Sequence, residues 1–248
     1  LRINCKIFKI VWEYYMISIN FLTVCTDKYP IIYAEKITKQ FLKSTKMDVS
    51  AYCLTDRPEL VTSWATPLKL EVKSSGWWNK LNLYNPTNPS GWNLYMDLDI
   101  VLQNSFDNEI EWILKQKPSI ACVSDAINWM GVKFSSSLLI YKTGSQSEIF
   151  ERFKKEHENI FNLPGGDQVW TGPQLKDILY IDEKFPNLKK NLKFDLSKKN
   201  GDQFIIPSNI DKSVKLVDCG GKPKPHELHM LPYIKKNWHD IICENQNL

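Results

Sequence analysis

The sequence predicts an α/β domain whose central sheet is mixed but mostly parallel, with helices on its faces. Three observations carry this. The run "MISINFLTVCTD" is apolar and β-rich and ends in Asp27. "YPIIYAEKITKQFLKST" follows, with Ile32, Tyr33, Ile37, Phe41 and Leu42 at helical spacing and Pro30 near its start. "MDVSAYCLTD" is a second apolar run and again ends in an aspartate, Asp56. Strand, helix and strand at this pace open a βαβ unit, and a βαβ unit requires parallel strands.

The later elements follow in order. "GWWNKLNLY" is a short helical stretch, closed by the turn cluster "NPTNPSG". "NLYMDLDIVL" reads as a strand, "NEIEWILKQK" as a short helix, and "SIACVSD" and "FSSSLLIY" as two more strands. "SQSEIFERFKKEHENIF" is an amphipathic helix with Ser145 or Ser147 as its cap. "PGGDQVWTGPQL" is a loop entering a short helix. "SVKLVDCGGKPKPHELHMLPYIKKNW" supplies a late strand, a Gly-Gly turn, a Lys/Pro segment and a closing helix. With no repeat, low-complexity tract or linker, residues 16–248 read as one domain. The opening is basic and apolar and begins with Leu, so residues 1–15 read as an upstream extension before Met16, with an amphipathic surface anchor as the alternative.

Composition narrows the function. The chain has 248 residues, 43% hydrophobic and 24% charged, with a net charge of +4, which is enough for one full core and ordinary for a globular protein. Its lysines are spread along the chain, not gathered into a stripe, which argues against nucleic acid as the main partner. The six cysteines show no CxxC spacing and sit in apolar runs, as buried thiols of a reducing, cytoplasmic location do. No uncharged apolar run of about 18 residues is present to span a membrane. Peripheral attachment through the opening segment is the remaining membrane reading.

The chemistry-bearing feature is the pair Asp97 and Asp99 in an otherwise apolar run. If the strand continued through them, they would share a face. Two carboxylates so placed repel and lose water, and at least one takes up a proton unless a cation intervenes. Oxygen ligands of this kind suit Mg²⁺ or Mn²⁺, with phosphate and water completing the shell. A solvated strand end is the alternative.

The pieces "FLTVCTD", "GWWNKLNLY", "LYMDLDIVLQNSFD", "FSSSLLIY", "GGDQVW" and "GGKPKPHEL", in this order, resemble the nucleotide-sugar glycosyltransferases of the GT-A fold, a Rossmann-like α/β fold. The resemblance is strongest to glycosyltransferase family 8, which contains glycogenin and bacterial galactosyltransferases, and runs from about Ile17 to Trp238. It implies a hexosyltransferase that moves a sugar, UDP-linked and with retention of anomeric configuration, to a glycan or other hydroxyl acceptor. Asp97 and Asp99 match the family's metal-binding DxD, which implies Mn²⁺ or Mg²⁺. Thr26, Asp27 and Tyr29 occupy the place that cradles the nucleoside, and Asp56 lies on the same rim, each with a helix or turn cap as its rival role. Lys80 matches a basic position that approaches the donor. Ser136 is expected to contact the donor sugar, with a serine packed in the strand as the rival role. Asp167 and Gln168 match residues that face the sugar and the reaction centre, although Asp167 also suits an N-cap. Gly221 and Lys222, with Lys224, are expected against the diphosphate. Trp77 and Trp78 are open to sugar stacking or to the core.

Two departures stand out. Ser135 takes the place of a usual Asn. Aligned on Lys222-Pro223, Gly220 takes the place of a His that serves as third metal ligand, leaving Asp218, two residues earlier, as its replacement. His226 and His229 read as surface or capping residues. The departures also suit a degenerate member that binds a sugar nucleotide without efficient transfer. A sugar-nucleotide pyrophosphorylase would need an early GxGxR loop, and "TVCTDKYP" has none. Zinc chemistry through Cys219, His226 and His229 fits no usual ligand spacing.

Overall fold

The computed structural model describes residues 17–200 and 203–243. The extension expected over residues 1–15 lies outside the described residues. The strands are β1 (Ser18–Cys25), β2 (Asp48–Thr55), β3 (Thr66–Lys69), β4 (Trp92–Met96), β5 (Ile100–Leu102), β6 (Ile120–Ser124), β7 (Phe134–Lys142), β8 (Ile178–Tyr180), β9 (Lys189–Asn191), β10 (Lys198–Asn200), β11 (Gln203–Ile205) and β12 (Leu216–Asp218). The helices used below are α1 (Ile32–Ser44), α2 (Asp107–Gln116), α3 (Ser147–Ile160) and α4 (Gly166–Thr171).

A 7-stranded sheet runs β3-β2-β1-β4-β7-β6-β8. The first four strands are mutually parallel, β7 is antiparallel to both its neighbours, and β8 is parallel to β6. The α/β reading with a mostly parallel mixed sheet therefore holds. The period of two along each strand sorts the core into two layers. Ile19, Phe21, Leu94 and Met96 join one cluster, where Phe21 stacks on Phe41 of α1 at 4.8 Å between ring centroids. Leu22, Tyr95, Leu139 and Tyr141 join the other, covered by Ile149, Phe150 and Phe153 of α3.

The run through the aspartate pair departs from expectation. β4 ends at Met96, the chain turns over residues 97–99, and β5 enters a separate sheet ordered β5-β12-β9. Asp97 N donates to Ser137 O at 2.8 Å, the last tie to β7, and Ile100 N donates to Asp97 O at 3.1 Å, which closes the turn. The aspartates are thus not side chains of one continuous strand. They stand where the chain leaves one sheet for another, and there a carboxylate can reach a cavity instead of the core.

Smaller differences have simple causes. α3 is capped by the backbone of Gln146, with no side-chain cap from Ser145 or Ser147. The closing helix is one short turn, Pro232–Ile234, followed by a wider-wound turn, Lys235–His239, which buries Trp238 edge-on against Tyr33. The described cysteines Cys25, Cys53, Cys122, Cys219 and Cys243 are buried and free, as the sequence suggested.

Candidate active site

A cavity of about 850 Å³ opens at the carboxyl ends of β1 and β4. This is where open α/β sheets gather ligands, because the strands end there and the loops diverge. β1 delivers Thr26, Lys28 and Tyr29, and the turn after β4 delivers Asp97, Leu98 and Asp99. The 3₁₀ stretch Gly76–Tyr84 contributes Trp77 and Lys80, the start of α4 contributes Gly166, Asp167 and Gln168, and the Gly-Gly turn contributes Gly221, Lys222 and Lys224. Segments far apart in sequence therefore converge on one wall.

Each aspartate of the pair is held by one lysine and one tyrosine. Lys80 Nζ lies 2.6 Å from Asp97 Oδ1, and Tyr95 OH donates to the same oxygen at 2.6 Å. Lys80 also donates to Ser136 Oγ at 3.3 Å. Lys224 Nζ lies 2.5 Å from Asp99 Oδ2, and Tyr29 OH donates to that oxygen at 3.0 Å. Burial pushes the Asp99 carboxyl above the usual range, the like charges of Asp97 and Asp218 push it further, and Lys224 pulls the other way. Lys80 shifts up: burial opposes its charge, but Asp97 and then Asp167 outweigh that. Lys28 is held down by burial and by the charges of Lys80 and Lys224. Lys28 and Lys222 face the cavity with no ion pair among the described residues.

The remaining expected residues divide. Thr26 is buried at the cavity wall, and its Oγ1 accepts from Asn79 Nδ2 at 3.4 Å. Gln168 Oε1 accepts from Ser136 N at 3.1 Å, which fixes its carboxamide. Asp167 lies in the first turn of α4 and lines the cavity; the cap position belongs to Gly165. Asp27 and Asp56 do not join the wall. Both are exposed: the loop after β1 turns Thr26 and Tyr29 inward and Asp27 out, and Asp56, after β2, sits 3.7 Å from Arg57 Nε.

Asp218 is buried, but its Oδ2 is 2.5 Å from Lys189 Nζ and its Oδ1 accepts from Gly220 N at 2.8 Å. Burial opposes its charge, yet Lys189 and the Gly220 N–H outweigh this and hold it below the usual carboxylate range. Asp218 is not on the cavity lining. Among the described residues no three His, Cys, Asp or Glu side chains stand where together they could hold a metal. His226 bonds Tyr33 OH through Nδ1, and His229 lies edge-on to His239, so both histidines serve the closing segment.

Trp78 is buried in the core, whereas Trp77 is 47% exposed at the cavity, with Lys28 Nζ 4.4 Å from its ring centroid. Sequence reasoning missed Lys28, Tyr95 and Trp129, and ranked Lys222 above Lys224. Tyr95 precedes Asp97 by two residues, and that spacing was the available signal for it. Nothing local marked Trp129. Gly166, at φ 67°, lets α4 start against Trp77, and a Cβ there would lie 2.5 Å from Trp77 Nε1. We expect Gly166→Ala to lower stability by about 1–3 kcal/mol, read from the urea midpoint at unchanged slope.

Solved structures share this architecture. LgtC, a galactosyltransferase solved in complex with donor and acceptor sugar analogs, matches with a TM-score of 0.59 over 92% of this chain and 98% of that chain, at 12% identity. An active-site mutant of LgtC gives 0.60 at 11% identity. The bifunctional glycosyltransferase WbbM gives 0.56 over 89% of this chain and 49% of that one, at 10% identity. The fold is that of the GT-A glycosyltransferases. No family model matches the chain, and no curated protein matches it. Within the GT-A fold of this chain the cavity sits at the sheet switch, and no described helix is long and apolar enough to cross a membrane.

Proposed function

We propose that this protein transfers a sugar from a nucleotide-sugar donor to a hydroxyl of an acceptor such as a glycan. The observation that carries the reading is the cavity wall itself. Two aspartates, each tied to a lysine, stand at strand ends beside two further lysines that have no ion-pair partner among the described residues, an arrangement suited to a diphosphate and its counter-charge. A uridine donor and retention of configuration rest on the sequence resemblance. In the transfer, the acceptor oxygen bonds the anomeric carbon as the bond from that carbon to the diphosphate oxygen breaks. The electron pair leaves with the diphosphate, and the hydroxyl proton passes to the departing oxygen. Gln168, fixed by Ser136 N, and Asp167 flank this centre. They orient the sugar, and no protein nucleophile is required.

Asp97 and Asp99 fit a divalent ion as a two-carboxylate site, because Mg²⁺ and Mn²⁺ are commonly held by one or two carboxylates with substrate phosphate completing the shell. When bound there, the ion would offset the charge developing on the leaving diphosphate. Asp218, tied to Lys189, would join only by giving up that pair. Lys80 and Lys224, paired with those carboxylates here, would then be available to phosphate oxygens.

The test is nucleotide release from a panel of UDP- and GDP-sugars, with Mn²⁺ and with chelator. Release from one donor, reduced about 10²-fold in Gln168→Ala, is expected. A panel in which no donor turns over and no nucleotide raises Tm would sink the proposal. A second reading, a binder with little chemistry, is favoured by Ser135, which is buried with its Oγ 2.9 Å from Ser137 Oγ and does not line the cavity. A Tm raised by UDP without release from any donor would select it.

A further inference from the structure

Large apolar side chains left exposed on a folded chain are informative where they gather. Trp77, Ile127, Trp129, Met130 and Leu163 are all exposed, with Trp129 at 50%. Trp77, Trp129 and Leu163 line the 850 Å³ cavity. Met130 and Leu163 line a second cavity of about 340 Å³, walled also by Arg152, Val169, Trp170 and Gln174. Leu163 and Pro164 belong to both. α4 bridges them: Gly166, Asp167 and Gln168 face the first cavity, and Val169 and Trp170 the second.

The loop that supplies Trp129 and Met130 is held in place. Trp129 N donates to Asp125 Oδ2 at 2.8 Å, and Gly131 N to Asn128 O at 3.0 Å. Asn128 (φ 48°) and Met130 (φ 52°) are left-handed, a conformation uncommon for residues with a Cβ and more so for Met than for Asn. The strained turn places Trp129 at one cavity and Met130 at the other.

We propose that the two cavities form one acceptor groove for a carbohydrate chain of two or more residues. The reacting sugar stands over Trp129 beside Asp167, and the next sugar lies against Met130, Leu163 and Val169 with Arg152 at its rim. This rests on the glycosyl-transfer reading. A pyranose has an apolar C–H face and a rim of hydroxyls, so it suits an aromatic or aliphatic floor with a few polar groups at the edge. The second cavity has that makeup: Met130, Leu163 and Val169 give it an apolar floor, while Arg152, which covers the buried Trp170 ring at 5.4 Å, and Gln174 stand at its wall. An acyl chain would gain nothing from Arg152 or Gln174. Continuity decides the occupant, because an acceptor whose hydroxyl reaches Asp167 and Gln168 has its next residue at the shared Leu163–Pro164 boundary.

The test is calorimetric titration of the full chain with linear tetrasaccharides of glucose, galactose, mannose and N-acetylglucosamine, each against its methyl monoglycoside. At least one tetrasaccharide is expected to bind ten times more tightly than its monoglycoside. Trp129→Ala should weaken both about tenfold. Arg152→Ala, or Gln174→Trp filling the second cavity, should weaken only the tetrasaccharide, about fivefold. All three side chains are at least partly exposed, and a Tm for each variant checks folding. UDP is titrated in parallel with Mn²⁺ present. Bound UDP with no tetrasaccharide preferred over its monoglycoside overturns the groove and leaves the transferase reading standing. Loss of both UDP and saccharide binding overturns the two together.

Discussion

Replacing both Asp97 and Asp99 by asparagine is expected to lower divalent-stimulated nucleotide release about 10³-fold in a protein that still folds, with a reduced Tm. The size follows from the work asked of the site. Offsetting the charge on a departing diphosphate is worth several kcal/mol, and each 1.4 kcal/mol is a factor of about ten. The fold should survive, with a Tm lowered by the loss of the Lys80 and Lys224 pairs, because the pair lies in a turn between two sheets and not within a strand. Asparagine also keeps an acceptor for Tyr95 OH and Tyr29 OH, which now hold the two carboxylates. The measurement is release from the best donor over a Mn²⁺ titration, with a Tm for each protein. A double variant that still responds to Mn²⁺ as the wild type does would remove the aspartates from any metal role.

That the pair mattered was legible in the sequence, but its geometry was not. Apolar neighbours on both sides of Asp97 and Asp99 mark a buried run, and a run of that length reads as one strand. Only the tertiary structure shows the run divided between the 7-stranded sheet and the β5-β12-β9 sheet, because β12 comes from more than a hundred residues later. The parallel half of the sheet was legible for the opposite reason: β1, α1 and β2 are local, and each carries its own periodicity. Trp77 and Trp78 could not be told apart by type. Their neighbours separate them, since Trp78 packs against Trp170 while Trp77 lies on Gly166 at the cavity. Asp27 and Asp56 were named because aspartates at strand ends often serve ligands, a rule about position that does not say which way a loop turns its side chains. Lys224 was ranked below Lys222 because the resemblance was aligned on Lys222-Pro223, and only the structure shows that Lys224 reaches Asp99.

The lysines give the second large effect. Lys80→Met is expected to destabilise the metal-free protein by about 2 kcal/mol, a Tm loss of roughly 4–8 °C for a chain of this size. Breaking a fully buried pair costs about 3–5 kcal/mol, and the figure here is discounted because the Lys80 and Asp97 side chains are 17% and 21% exposed. The deficit should hold from about pH 7 to 9. Lys80 has a folded pKa raised above its unfolded value, so its contribution is fully present below the unfolded pKa of about 10.4 and is lost only as pH rises through the folded one. In the wild type, a divalent ion at Asp97 must first displace an ammonium 2.6 Å away. In Lys80→Met it meets a carboxylate whose only remaining tie is to Tyr95, so the ion binds more tightly and stabilises more. Manganese should therefore raise the Tm of the variant by more than it raises that of the wild type, while UDP, deprived of one phosphate contact, binds it more weakly. Opposite shifts for metal and nucleotide in one variant are what a lysine exchanging partners between Asp97 and a phosphate produces. A purely structural lysine would lower Tm and leave the response to both ligands unchanged.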